Sequence, residues 1–228
     1  ANPGTSEMQM VAALDREPRV RPVLCLFEGV ATGAADGYAR MAGKPASTML
    51  HLGPGLGNGT ANLHNARRAY TPVINLIGDH ATYHLKNDAP LASDILSLAK
   101  PNSVWVKSAT TAEDAVALGV EAWTAAQAAP GGPASLILPA DTMWTETEAK
   151  GTIAKKPVAA SAPSARIEAA AKALKAAKKP LLLVGSPSLT EQGLVALGRI
   201  AATGVRVMTD TFVARIPRGA GRYAPDRM

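Results

Sequence analysis

The sequence predicts an α/β fold: a mostly parallel sheet with helices on both faces, followed by a partial second α/β domain. Two observations lead to this prediction. Short, continuous apolar runs, typical of buried parallel strands, alternate along the chain with longer helical patterns. A stretch rich in Ala, Lys and Pro at 149–164 has no apolar periodicity and is therefore predicted to be a linker between two domains.

In the first domain, residues 1–148, the predicted elements follow one another in strand and helix order. A loop at 2–7 leads into a helix. Strands are then predicted at 23–27, 46–51, 73–77, 104–106 and 135–138, and helices at 30–41, 60–69 and 112–128. The glycine-rich stretch 53–59 is predicted as a loop, either a backbone wall for a flat ring or a simple turn. Because the chain opens on a turn, we expect the first elements of this domain to precede Ala1.

The second domain, residues 165–228, reads as a single βαβ unit preceded by a helix. A helix at 166–178, a strand at 180–184, a helix at 189–203 and a strand at 205–208 are predicted. One such unit is too small to bury its own sheet. We therefore interpret it as the first half of a domain.

Composition and charge exclude several classes of protein. The net charge of +6 is unevenly distributed: residues 1–148 hold 10 basic and 14 acidic side chains, whereas residues 149–228 hold 14 and 4. The basic segment lacks interleaved aromatic residues, which argues against nucleic-acid binding. No apolar run is long enough to span a membrane, and no signal peptide is visible, so a soluble, cytoplasmic protein is predicted. The single Cys25, predicted to point into the core, excludes an intramolecular disulfide and a cysteine zinc cluster.

Glu28 is the most informative residue of the sequence. It stands where the apolar run 23–27 meets the next helix, and this is where α/β sheets present ligand-binding groups. A carboxyl group behind Leu26 and Phe27 is expected to be poorly solvated and able to exchange a proton. The alternative is a first-turn glutamate that complements the helix dipole.

Histidines offer further candidates. His51 ends a predicted strand just before the glycine stretch, so it is expected at the same sheet edge as Glu28, either as a functional group or as a helix-capping or hydrogen-bonded histidine. His80 and His84 have i,i+4 spacing, but the pattern His-Glu-x-x-His and a third ligand are missing. No metal site is therefore predicted.

Taken together, these segments resemble the thiamine-diphosphate-dependent 2-oxoacid enzymes, the acetolactate synthase and benzoylformate decarboxylase group. Three motifs carry the resemblance: Asn2 to Glu7 (NPGTSE), Phe27-Glu28-Gly29 followed by Ala34 to Arg40 (AADGYAR), and Gly53-Pro54-Gly55 with Asn58. The resemblance is good over about residues 1–145. It implies that residues 1–148 are a pyrimidine-binding domain and that residues 165–228 begin a middle domain.

The resemblance also implies roles for individual residues. Glu28 would hydrogen-bond N1′ of the cofactor's aminopyrimidine and activate the cofactor for attack on a 2-oxoacid, which then loses CO₂. Pro3, Gly4, Pro54 and Asn58 would contribute to cofactor binding. His51 would be a proton relay and Thr5 would meet the substrate carboxylate, as in benzoylformate decarboxylase-like members.

Other family features are missing from the sequence. Acetolactate synthases usually carry Gln after the strand that ends here at Gly78, where this chain has Asp79-His80. Gly185 to Ser188 (GSPS) does not match a flavin loop, so FAD is not expected. The Gly-Asp-Gly…Asn motif for Mg²⁺ and diphosphate does not occur. We therefore expect both groups to be bound by other parts of a parent enzyme, and this chain alone to show no turnover.

The parent enzyme is expected to be a homodimer or homotetramer, because the family binds its cofactor between subunits. It would act either as a decarboxylase or as a carboligase like acetolactate synthase. The alternative function is a non-catalytic cofactor-binding or assembly module of the same fold.

Overall fold

The computed structural model describes residues 1–153 and 155–228, and these form two compact units, Ala1–Pro157 and Val158–Met228. The division falls within the stretch 149–164 that was predicted as a linker. Residues 149–153 and 155–163 contain no helix or strand, and Ala154 lies outside the described residues. Among the described residues, no helix is long and apolar enough to cross a membrane.

The first unit is built on a four-stranded parallel sheet, in the order β1-β2-β4-β3. The strands are β1 (Ala46–Leu50), β2 (Val73–Asp79), β3 (Trp105–Ser108) and β4 (Ala134–Pro139). The helices are α1 (Met8–Asp15), α2 (Glu28–Ala42), α3 (Leu52–Arg68), α4 (Ile95–Ala99), α5 (Ala112–Gln127) and α6 (Ala140–Trp144). The predicted α/β class with a parallel sheet flanked by helices is confirmed.

The core of this unit is apolar on both faces of the central strands, as parallel strands between helices require. One cluster joins the sheet to α2, α3 and α4 through residues such as Leu50, Leu63 and Ile77. On the other face, alanines of α5, Ala122 and Ala126, pack against the sheet. These small side chains let the helix backbone lie close to the strands.

A polar ladder crosses the buried middle of the sheet. Thr48 Oγ1 donates to Asn75 Oδ1 at 2.8 Å, and Asn75 Nδ2 donates to Ser135 Oγ at 3.0 Å. Ser103 Oγ lies 2.8 Å from the same Ser135 oxygen. All four residues are buried, so each of these polar groups depends on its partner for a hydrogen bond.

The second unit contains a smaller parallel sheet, in the order β5-β6-β7. Its elements are α7 (Ser164–Ala176), β5 (Leu181–Val184), α8 (Glu191–Ala201), β6 (Arg206–Thr209) and the short β7 (Asp226–Arg227). Leu194 and Leu197 of α8 pack onto Val184 and Val207 of the sheet. The βαβ unit predicted from the sequence is therefore present, with β7 as an additional strand.

The strand predicted at 23–27 is wrong. These residues lie outside the sheet, and all of their side chains except that of Cys25 are exposed, Leu26 by 94%. The backbone here pairs with Ala1: the amino terminus donates to Val23 O, and Cys25 N donates to Ala1 O, both at 2.8 Å. Cys25 is half-buried and does not point into the core. An apolar run forms a β-strand only if another strand lies beside it to pair with its backbone. Among the described residues, no strand pairs with 23–27.

The loop predicted at 53–59 is also wrong, because α3 begins at Leu52 and these glycines are helical. A Cβ at Gly59 would lie 2.9 Å from Thr32 Cγ2 of α2, and one at Gly53 would lie 2.3 Å from Ser93 Oγ. Glycine costs a helix about 1 kcal/mol per residue relative to alanine. In α3 the close packing of these glycines against neighbouring segments outweighs the low helix propensity of glycine.

Candidate functional site

The first residues of the chain and the end of β1 meet at one edge of the sheet. Asn2 forms a parallel bridge with Leu50, and its backbone N–H donates to Met49 O at 3.0 Å. His51 follows β1 directly, so it stands at the carboxyl edge of the sheet. In open α/β sheets this edge is where ligands bind.

Glu28 is the first residue of α2, and it is half-buried. Its Oε2 accepts a 3.0 Å hydrogen bond from Nδ2 of Asn58, on the second turn of α3. The position also favours a negative charge, because the helix N-terminus carries unpaired backbone N–H groups. The expectation that Leu26 and Phe27 shield this carboxyl is wrong, since both side chains are exposed.

Gly55 adjoins both Glu28 and His51. A Cβ there would stand 3.3 Å from Glu28 Oε1 and 3.5 Å from His51 Cβ. The two candidate catalytic residues, predicted at one edge, therefore both lie close to a single glycine. Pro54, beside Gly55 in the first turn of α3, is exposed.

His51 is held by a buried carboxyl group. Its Nδ1 lies 2.9 Å from Oε2 of Glu7, and that oxygen also accepts a 2.7 Å hydrogen bond from the backbone N–H of Gly4. Glu7 is 0% exposed, whereas 22% of the His51 side chain is accessible. His51 precedes α3 in the capping position, but its side chain makes no capping hydrogen bond. Of its two alternative roles in the fold, hydrogen bonding is the one observed.

Gly4 is required by this arrangement. An added Cβ would lie 2.4 Å from His51 Nδ1 and 2.5 Å from Cε1, so the imidazole ring rests directly on the glycine. Pro3 and Gly4 are half-buried, and Thr5, which begins a 3-10 turn over Thr5–Glu7, is exposed. The motif at 2–7 thus lies at the same edge as His51.

Asp79 and His80 follow at the end of β2. Asp79 Oδ1 accepts a 2.8 Å hydrogen bond from the backbone N–H of His80. Burial raises the pKa of Asp79, and the hydrogen bond from His80 only partly offsets this effect. The His80 and His84 rings lie 5.7 Å apart between centroids, and within residues 1–153 and 155–228 no three metal-ligating side chains cluster.

Glu7 is a residue of this site that was not predicted from the sequence to be functional. The sequence contains one signal for it: a glutamate three residues after Gly4 in a loop that enters a helix. That spacing also suits a helix start, where a glutamate side chain accepts from a backbone N–H. Only the fold shows that the same oxygen reaches His51.

The fold and these residues agree with a known protein family. Residues 1–98 match the family described as "Thiamine pyrophosphate enzyme, N-terminal TPP binding domain". Residues 1–98 belong to this family of thiamine pyrophosphate enzymes. The matched region contains every candidate residue discussed above, from Pro3 and Glu7 to Asp79 and His80.

Curated relatives extend the similarity to both units. A Mycobacterium tuberculosis protein, IlvX, provisionally named an acetolactate synthase large subunit, is 51% identical over the whole of this chain and 44% of its own length. A benzoylformate decarboxylase of Pseudomonas aeruginosa is 31% identical over 66% of this chain and 28% of its own length. An acetolactate synthase large subunit of Escherichia coli is 29% identical over 80% and 33%. The chain thus spans less than half the length of these curated relatives.

Solved structures show the same fold. A benzoylformate decarboxylase from Polynucleobacter necessarius superposes with a TM-score of 0.78 at 27% identity, over 92% of this chain and 39% of its own. A thiamine diphosphate-dependent 4-hydroxybenzoylformate decarboxylase from Rhodococcus jostii gives a TM-score of 0.79 at 24% identity, over 92% and 40%. Because its identity is only 24%, the Rhodococcus jostii structure is evidence for the fold alone.

Proposed function

We propose that this chain supplies the aminopyrimidine-binding part of a thiamine-diphosphate site in an enzyme that decarboxylates a 2-oxoacid. The observation that carries the proposal is the carboxyl group of Glu28 at the start of α2. It is half-buried, fixed by Asn58, and has Gly55 beside its second oxygen. Membership of residues 1–98 in the thiamine pyrophosphate family supports the same cofactor.

The residues present fit such a cofactor. Any residue larger than glycine at position 55 would place a Cβ 3.3 Å from Glu28 Oε1, so glycine keeps the space beside this oxygen open. Glu28 would hold the aminopyrimidine ring through a hydrogen bond to its N1′. Pro3, Gly4, Pro54 and Asn58 would border the ring.

Thiamine diphosphate, when bound, supplies a nucleophilic carbon and an electron sink for loss of CO₂. The role proposed for Glu28 is to hold a proton shared with N1′. A carboxyl group suits this role, because it can hold and release a proton within hydrogen-bond reach of a ring nitrogen. His51, which also adjoins Gly55, would exchange a proton with the reacting molecule.

The substrate end of the site is proposed at the 2–7 loop. Thr5 carries an exposed hydroxyl group that could donate to a substrate carboxylate. Mg²⁺ and the cofactor's diphosphate are proposed to be bound by other parts of a parent enzyme, which would be a homodimer or homotetramer. Whether the product is an aldehyde or a carboligated hydroxyketone depends on which second reactant enters.

A non-catalytic module of the same fold is the alternative. The polar groups at the sheet edge favour catalysis over it, because a buried carboxyl at a histidine adds cost without benefit to a passive scaffold. The direct test is CO₂ release by the native protein, meaning the parent enzyme that contains this chain, with and without thiamine diphosphate and Mg²⁺. Pyruvate and benzoylformate are suitable probes for aliphatic and aromatic 2-oxoacids.

Cofactor-dependent CO₂ release from either probe is the expected result. Tight binding of thiamine diphosphate in a calorimetric titration, without turnover of any 2-oxoacid in a broader panel, would support the non-catalytic module instead. Failure to bind the cofactor at all would contradict both functions.

A further inference from the structure

Glu7 is the one fully buried carboxyl group at the candidate site, and the proposed function as stated does not use it. Its Oε2 has two partners, the Gly4 N–H at 2.7 Å and His51 Nδ1 at 2.9 Å. Its Oε1 is buried and has no hydrogen-bond partner among the described residues. An unpaired buried polar atom is costly, so it calls for an explanation.

The fold makes room for this carboxyl group. A Cβ at Gly78, near the end of β2, would lie 1.6 Å from Glu7 Oε1, so only glycine at position 78 admits the side chain as it stands. Gly4 serves the same arrangement on the other side, because its missing side chain lets the His51 ring lie flat against it. Two glycines on separate segments thus accommodate one carboxyl and one imidazole.

A purely structural role explains less of this geometry. Glu7 does cap its own 3-10 turn through the Gly4 N–H, but a cap at an exposed turn needs no burial, and Gln or Ser could also provide it. Complete burial, an unpaired oxygen and contact with a half-exposed histidine are features that capping does not require.

We propose that Glu7 is a positioning residue that sets the tautomer and ring orientation of His51. With Glu7 as a carboxylate, which only accepts hydrogen bonds, its contact with the ring assigns a proton to His51 Nδ1. In the neutral ring, Nε2 is then the nitrogen without a proton, and it is free to accept one. This inference rests on the proposed function for its catalytic meaning, but the tautomer itself does not depend on that function.

The charged groups around His51 are consistent with this assignment. Glu7 reaches it from the 3-10 turn, and Glu28 adjoins the same glycine, Gly55, as His51 does. Because Glu7 occupies Nδ1, a second proton would enter and leave the ring through Nε2 alone.

The first test is nitrogen-15 solid-state NMR of the native protein labelled at histidine. The His51 signals are those missing from a His51→Asn variant. We expect the neutral ring to be protonated on Nδ1. In Glu7→Met, which has similar length and no acceptor, we expect the Nε2-protonated form that free histidine prefers in water. If the neutral His51 ring of the unsubstituted protein carries its proton on Nε2, the proposal is overturned. This outcome does not depend on whether the protein binds the cofactor or turns over a 2-oxoacid.

The second test uses Glu7→Gln, which keeps the shape and one acceptor oxygen, in case Glu7→Met does not fold. We expect Glu7→Gln to lower kcat about tenfold with little change in KM, in line with other groups that orient an active imidazole. In the His51→Asn background the same substitution should have no further effect. Equal losses in both backgrounds would overturn the proposal.

Thr71→Val is the matched control. Thr71 is buried and its Oγ1 also lacks a partner among the described residues, but it lies two residues before β2, away from the carboxyl edge. We expect this variant to leave the His51 nitrogen signals unchanged. If it shifts them as Glu7→Met does, the effect is a general response to altered packing, and the positioning role is overturned.

Discussion

Asn58 Nδ2 donates a 3.0 Å hydrogen bond to Glu28 Oε2, and so joins the N-terminal turns of α3 and α2. The two residues are 30 positions apart in the chain, and they lie on two different helices. Because the amide donates to one carboxyl oxygen, it limits the rotation of Glu28. The second oxygen, Oε1, lies beside Gly55.

Replacement of Asn58 by Leu should weaken the binding of thiamine diphosphate. One hydrogen bond to a carboxyl group contributes about 1 kcal/mol or somewhat more, which corresponds to an increase in Kd of about fivefold or more. The measurement is a calorimetric titration of the native protein. Asn65→Leu, an exposed site on the same helix, is the control, and equal Kd values for the two variants would contradict the role of Asn58.

Replacement of Gly4 by Ala should displace the His51 ring. The added Cβ would lie 2.4 Å from Nδ1, so the ring must move and its hydrogen bond to Glu7 must lengthen or break. We expect a loss of kcat similar to that of Glu7→Gln, about tenfold. A crystal structure of the variant would show whether the ring has moved. Gly37→Ala is the control, because a Cβ at Gly37 meets no atom within 4 Å.

Replacement of Asn75 by Ala should destabilise the first unit. The change leaves Thr48 Oγ1 and Ser135 Oγ in the sheet without their amide partner, and it also opens a small cavity. The expected loss is about 2–4 kcal/mol in the free energy of unfolding, measured by urea denaturation. Gln9→Ala, at an exposed position of α1, should change it by less than about 0.5 kcal/mol. Equal values for both would show that the polar ladder adds no stability.

Replacement of Asp79 by Asn should alter how stability depends on pH. Burial raises the pKa of Asp79 above its ordinary value of 3.8, so the folded state binds a proton that the unfolded state has released. Stability is therefore lost as the pH rises from the ordinary pKa through the raised one. The asparagine does not titrate, so the variant should gain stability relative to the unsubstituted protein over that window. Urea midpoints from pH 3 to 7 measure the difference, and a constant difference would contradict the prediction.

Much of the fold could be predicted because its signals are local. The strands β1, β2 and β4 are short apolar runs. The helix α5 begins after an N-cap residue, Thr111, whose side-chain oxygen accepts a hydrogen bond from the backbone N–H of Asp114. Such patterns depend on residues close together in the chain. The boundary predictions for these elements agree with the structure to within a few residues.

The two errors have a different origin, because both segments depend on distant neighbours. The apolar run 23–27 has the composition of a strand, but it lacks a strand beside it in the described chain and lies exposed. The glycines at 53–59 suggest a loop, but contact with Thr32 and Ser93 makes small residues an advantage in α3. Neither neighbour can be read from the local sequence.

The candidate site was predicted in part. Its motifs identify Glu28 and His51, which the fold places next to Gly55. Glu7 was missed, because its contact with His51 spans 44 residues and depends on the small size of Gly4 and Gly78. The roles of these residues remain predictions, and the measurements above test them.

The most direct test of the proposed function is the effect of Glu28→Gln on thiamine-diphosphate-dependent CO₂ release from a 2-oxoacid by the native protein. The amide keeps the size of the side chain but cannot hold the shared proton. We predict a loss of kcat of about 10²-fold or more, with the fold retained by circular dichroism. Glu168→Gln, at an exposed site on α7, should have no effect. Activity of the folded Glu28→Gln variant within about twofold of the unsubstituted protein would contradict the central claim.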